Sequence, residues 1–147
     1  MDNKKIEGVI TTPLRIIPHP KGNILHGIKT GDPGFVNFGE AYFSTVILNE
    51  IKAWKKHLKM TVNLIVPEGT VKFVIVDKRD NSSTFGLINE FTISKDNYFR
   101  LTIPPNVWFG FVGIGNGLNL IMNVASIPHD PQEVERMDPN ELKFNWL

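Results

Sequence analysis

Residues 62–76 run as two aliphatic, β-branched segments, Val62-Asn63-Leu64-Ile65-Val66 and Val71-Lys72-Phe73-Val74-Ile75-Val76, broken once by Pro67-Glu68-Gly69. Each segment is too short and too branched for a helix, and a run this apolar has to be covered on both faces. The proline and glycine between them turn the chain, so the pair reads as a buried hairpin. The approach to it, residues 50–60, interleaves Lys52, Lys55, Lys56, Lys59 and His57 with apolar residues, as a strand with a basic face would.

The rest of the chain repeats this idiom. Two short β-like pieces flank Pro13, and residues 24–28 form another, closed by the turn cluster Thr30-Gly31-Asp32-Pro33-Gly34. Residues 35–48 read as one long strand or a bent pair. Residues 85–93 and 98–103 follow, with a turn at 94–97 between them and Pro104-Pro105 as a stop. Residues 107–114 and 118–125 read as strands around a hairpin turn at Gly115-Asn116-Gly117. Only residues 131–137 suggest a helical turn or two, with Pro131 suited to the first position. Short strands at regular spacing with almost no helical periodicity imply an all-β antiparallel sandwich or barrel with a short C-terminal helical segment.

Composition narrows the function. With 41% hydrophobic residues in 147, a single domain over residues 1–147 can bury a core without disulfides or metal. Sixteen basic residues against fifteen acidic ones argue against a nucleic-acid or membrane-surface partner, so cationic character has to be local. The absence of cysteine removes thiol nucleophiles and thiolate-held zinc. The first residues lack the apolar run of a signal peptide and no segment reaches eighteen apolar residues, so a soluble cytoplasmic protein is expected.

Five further features, in order, carry a resemblance: Ile6-Glu7-Gly8-Val9, Val76-Asp77-Lys78-Arg79, Ser83-Thr84-Phe85-Gly86, Ile103-Pro104-Pro105 with Gly110-Phe111, and Asp138-Pro139. Together they resemble the dTDP-4-dehydrorhamnose 3,5-epimerase family across nearly the whole chain. The resemblance implies a jelly-roll, cupin-type barrel, a homodimer in which an N-terminal strand reaches to the partner, and a sugar nucleotide bound in the barrel mouth. The family's Arg-Gly-Leu-His-Tyr-Gln run falls on Lys52-Ala53-Trp54-Lys55-Lys56-His57. Lys52 thus stands at the phosphate-binding arginine and Lys55 at the catalytic histidine. Ile121 falls at the family's tyrosine acid, and Phe109 at the histidine of its Pro-Pro-x-x-x-His-Gly-Phe run.

Epimerisation beside a ketone needs a base, an acid on the opposite face and a partner for the enolate charge. His57, on the same strand face as Lys55, is the candidate base, with Lys55 to lower its pKa or hold the oxyanion. Asp138, carried over from the family's Asp-Pro, is the candidate partner of the imidazole. Neither Tyr42 nor Tyr98 sits at the family's tyrosine position, so no second acid is evident. Lys52, Lys21, Asn63, Asn119, Asn123 and Trp108 are the candidate substrate contacts. Each has a plainer reading: strand lysines can block edge pairing, Trp54 and Trp108 suit a core or dimer interface, and buried amides need partners anyway. His19, His26 and His129 read as structural or exposed. There is no His-x-His, and His57 with Glu50 or Glu68 is a poor ligand set, so neither metal nor cofactor is expected. The reading is a metal-free epimerase or isomerase of a 4-keto-6-deoxy nucleotide sugar in surface polysaccharide synthesis. The alternatives are a catalytically inactive nucleotide-sugar- or carbohydrate-binding cupin and a purely structural jelly-roll dimer.

Overall fold

The computed structural model describes residues 4–147. Its strands are β1 (Ile10–Pro13), β2 (Ile16–Ile17), β3 (Ile24–Leu25), β4 (Glu40–Thr45), β5 (Ile51–His57), β6 (Val62–Glu68), β7 (Val71–Val76), β8 (Ile88–Ile93), β9 (Phe99–Ile103), β10 (Trp108–Gly113), β11 (Leu120–Ala125) and β12 (Val134–Arg136). Two five-stranded antiparallel sheets, ordered β1-β9-β6-β11-β4 and β12-β5-β10-β7-β8, face each other as a jelly roll, and β2 and β3 form a separate pair. Val62, Leu64 and Val66 of one sheet meet Val71, Phe73 and Ile75 of the other in the shared core. Each of these side chains contributes about 2 kcal/mol by leaving water.

The hairpin readings are corrected. β6 pairs with β9 and β11 while β7 pairs with β8 and β10, so Pro67-Glu68-Gly69 carries the chain from one sheet to the other. Likewise β10 and β11 lie in opposite sheets, and Gly115-Asn116-Gly117 is a crossing, not a hairpin turn. Asn119 clamps both crossings: its side chain accepts from Thr70 N–H at 2.9 Å and donates to the carbonyls of Val46 and Gly115. Gly69 has φ +82°, and a Cβ there would come within 2.3 Å of the Asn119 amide oxygen, so glycine is required.

Residues 35–48 yield only one six-residue strand, β4, at the edge of the first sheet. The expected C-terminal helical segment is a three-residue 3-10 turn, Pro131–Glu133, after which the chain straightens into β12. One turn is too short to nucleate an α-helix, and the free edge of β5 offers Val134–Arg136 a ladder. A second 3-10 turn, Pro139–Glu141, leads the tail across the outer face of the second sheet, where Trp146 packs 5.0 Å from Trp54. Among the described residues no helix is long and apolar enough to cross a membrane.

The Val-Asp-Lys-Arg and Ser-Thr-Phe-Gly motifs form one knot. Asp77, fully buried, accepts from Arg79 Nε at 2.9 Å, Ser82 Oγ at 2.6 Å and Thr84 Oγ1 at 2.6 Å, while Arg79 also reaches the Glu7 carbonyl. Burial alone would push the Asp77 carboxyl up, but these donors outweigh it and hold it far below the usual carboxylate range.

Candidate active site

The basic face of β5 opens between the sheets. On β10, Phe109 stands opposite Lys55 and Phe111 opposite Lys52, so two steps on β10 match three on β5. This bulge turns both lysines inward, where strict alternation would have sent one of them out. The Ala53–Trp54 peptide inside it is cis. Gly110 makes the bulge possible, since a Cβ there would lie 2.5 Å from that of Ala53. Lys56 points outward, 3.2 Å from Glu135 and above the Trp108 ring.

A cavity of about 400 Å³ lies at this end of the sandwich. Lys52, Lys55, Phe109, Phe111 and Arg136 line it from the second sheet, and Tyr42, Ser44 and Asn123 from the first. Lys52 Nζ crosses between the sheets to the Thr45 carbonyl at 2.7 Å. Arg136 lies directly opposite Lys55 in the β12–β5 ladder. Three cations thus share one cavity, with no carboxylate in its lining. Lys55 has no hydrogen-bond acceptor among the described residues, and its ammonium sits 5.8 Å above the Phe109 ring. Burial, and then the charge of Arg136, lower its pKa from the ordinary lysine value.

His57 shares the inner side of β5 but lies beyond the cavity lining, its ring stacked on Phe109 at 6.0 Å. Its partner is Glu133, not the expected Asp138. Nδ1 meets Glu133 Oε1 at 2.6 Å, and Oε2 accepts the N–H groups of Leu58, Lys59 and Met60. Those donors keep Glu133 ionised despite its burial, while burial holds His57 below its ordinary pKa. Imidazole therefore donates to carboxylate. Asp138 is exposed, and its carboxylate caps the Asn140 N–H because the Pro139–Glu141 turn needs an N-terminal acceptor.

Lys52, Lys55 and Asn123 come together in the cavity, and the other predicted contacts do not. Asn63 faces outward from β6, donating to Gly34 O and accepting from Thr102 Oγ1 and from Arg100 Nε. The buried Arg100 in turn holds the carbonyls of Gly27 and Pro33. Asn119 is spent on the crossings. Lys21 lies in the exposed turn between β2 and β3, its N–H donated to His19 Nδ1 at 3.0 Å. Trp108 packs with Trp54 and Trp146 on the outer side and does not line the cavity. The residues missed are Tyr42, Arg136 and Glu133.

The sequence model of the dTDP-4-dehydrorhamnose 3,5-epimerase family matches residues 53–146. The chain belongs to this family. A dTDP sugar isomerase of Desulfovibrio desulfuricans G20, known from a crystal structure, is 40% identical, with a TM-score of 0.91 over 96% of this chain and 92% of that one. The spore coat polysaccharide biosynthesis protein SpsL of Bacillus subtilis is 25% identical over 96% of each chain. A probable low-salt glycan biosynthesis epimerase of Haloferax volcanii, Agl13, is 28% identical over 72% of this chain; the match spans 65% of that protein's length. This chain shares the fold of the Desulfovibrio isomerase, and its cavity is basic. On the inner side of β5 it carries an amine, Lys55, in the cavity lining and a buried imidazole, His57, two residues later.

Proposed function

We propose that the chain is a metal-free epimerase or isomerase of a 4-keto-6-deoxy nucleotide sugar, working in surface polysaccharide synthesis. The observation that carries this reading is the cavity with three cations and no lining carboxylate. Like charges directly opposed across a ladder, as in Lys55 and Arg136, destabilise the sheet unless an anion lies between them, and a nucleoside diphosphate supplies one. The volume falls in the range that small-ligand sites occupy. Relatives named for dTDP sugars, glycan and spore-coat polysaccharide support the substrate class.

In this reading Lys52 and Arg136 hold the phosphates or the enolate oxygen. Lys55 takes the α-proton: it faces the cavity, is bonded to nothing, and carries a lowered pKa that leaves more of it as free amine at neutral pH. The His57–Glu133 pair stands behind Lys55 and Phe109, fixing the end of β5. Asn123, whose Nδ2 donates to Ser44 Oγ at 3.0 Å, offers its amide oxygen to sugar hydroxyls. The enzyme acts as a homodimer, for which exposed Val36, Phe38, Phe43 and Ile47 supply apolar surface.

One feature favours a binding protein without catalysis: by the resemblance Ile121, which is apolar, stands where the family carries its tyrosine acid. Incubation with 4-keto-6-deoxy nucleotide sugars in deuterated water separates the readings. Deuterium beside the ketone is expected, and binding without deuterium would leave a binding cupin.

A further inference from the structure

The chain has two tyrosines, and their hydroxyls stand in opposite circumstances. Tyr98 donates to the His26 carbonyl at 2.7 Å and is used up in holding that loop. Tyr42 lines the same cavity as Lys55, and its hydroxyl has no hydrogen-bond partner among the described residues. The two residues come from opposite walls: Tyr42 from β4, the edge of the first sheet, and Lys55 from β5 in the second. A ligand held in the cavity lies between a wall that carries the amine and a wall that carries the phenol.

We infer that Tyr42 is the catalytic acid of this site, delivering a proton to the enolate face opposite Lys55 and so converting exchange into inversion. The inference rests on the proposed function. In the first half-reaction the C–H bond beside the ketone breaks, its proton moves to the Lys55 amine and its electron pair forms the enolate. In the second, the Tyr42 O–H bond breaks and a new C–H bond forms on the other face, leaving a phenolate. Proton exchange with water then restores ammonium to amine and phenolate to phenol, with no net redox change. The electrostatics suit these roles. Burial, and then the charge of Glu40, raise the Tyr42 pKa and favour the protonated phenol, while burial and then Arg136 lower that of Lys55 and favour the free amine. Position 121 on β11 is Ile121, fully buried, so no acid reaches the cavity from there.

Tyr42→Phe removes only a hydroxyl that bonds to nothing in the protein, so the fold should be kept. The variant and the wild type are incubated with the same 4-keto-6-deoxy nucleotide sugar in deuterated water, with configuration and deuterium content read separately. The expected result is deuterium uptake within about fivefold of wild type, with inversion slowed at least about 100-fold. Inversion at the wild-type rate would overturn the inference and leave the proposed function standing. Loss of uptake together with inversion would also overturn it, placing Tyr42 in binding. Absence of uptake by the wild type would overturn both.

Discussion

His57 and Glu133 are joined by one buried hydrogen bond, Nδ1 to Oε1 at 2.6 Å, across 76 residues of sequence. The second oxygen of Glu133 collects three consecutive backbone N–H groups, those of Leu58, Lys59 and Met60. One carboxylate therefore ties the C-terminal segment to the end of β5 and orders the turn into β6. Glu133→Ala leaves three donors without an acceptor, the buried His57 Nδ1–H and Met60 N–H and the part-buried Lys59 N–H, while the Leu58 N–H keeps the Glu133 carbonyl at 2.7 Å. The expected loss is about 3 kcal/mol in urea denaturation. Asp138→Ala, which removes only an exposed cap, is expected to cost at most about 1 kcal/mol and to leave deuterium exchange intact. Equal losses for the two would place the imidazole's partner wrongly.

Acid should weaken the fold in two stages. His57, Glu133 and Asp77 all have folded-state pKa values below their ordinary ones, so the unfolded chain binds their protons more readily. Their contribution is complete above about pH 6.5, falls first as the pH drops through the lowered His57 value, and falls again below about pH 4 as carboxylates protonate. Thermal melting between pH 8 and pH 3 reads this. A melting temperature that rises on acidification from pH 7 to pH 5 would contradict the His57 assignment.

Asp77→Asn tests the knot without touching the cavity. The buried carboxylate balances Arg79 and accepts from Ser82 and Thr84, so the amide leaves unmatched donors and about 3 kcal/mol is lost. Affinity for nucleotide sugars, measured by calorimetry below the melting temperature, should stay within about twofold.

Arg136→Gln should do two things at once. Removing one of three cavity cations is expected to weaken nucleotide-sugar binding about tenfold. Removing the charge opposite Lys55 also lets the Lys55 pKa rise, so the pH–rate curve for exchange moves to higher pH. A weaker ligand with an unmoved pH profile would mean that Arg136 holds substrate but does not act on Lys55.

The strands were legible in the sequence and their partners were not. Apolar, β-branched runs and turn residues mark β6, β7, β10 and β11 well, and a Pro-Glu-Gly or Gly-Asn-Gly break says only that the chain reverses. Whether it returns to the same sheet or crosses to the other depends on which faces must be covered, which is a property of the whole sandwich. Lys52, Lys55 and His57 could be found because a basic run inside an apolar strand is unusual. That Lys52 and Lys55 share a face could not be read, because it needs the bulge opposite Gly110. Tyr42 left a signal that went unused: Glu40, Tyr42 and Ser44 alternate with Ala41, Phe43 and Thr45, one side polar and the other mostly apolar. Glu133 and Arg136 were hidden by reading their segment as helical, although Val134 and the pull of a free strand edge favoured β structure. Asn63 and Asn119 show the converse. Polar residues in apolar strands drew attention as ligand contacts, and both are spent satisfying backbone and side-chain groups within the fold.

The central claim is that Lys55 is the base of a cavity that binds a nucleotide sugar. Its most direct test is the rate of deuterium incorporation beside the ketone of a 4-keto-6-deoxy nucleotide sugar, compared between the wild type and Lys55→Met, with binding measured on both. The account predicts uptake by the wild type, a fall of at least about 100-fold in the variant, and binding retained within about tenfold. Uptake by Lys55→Met at the wild-type rate would contradict it.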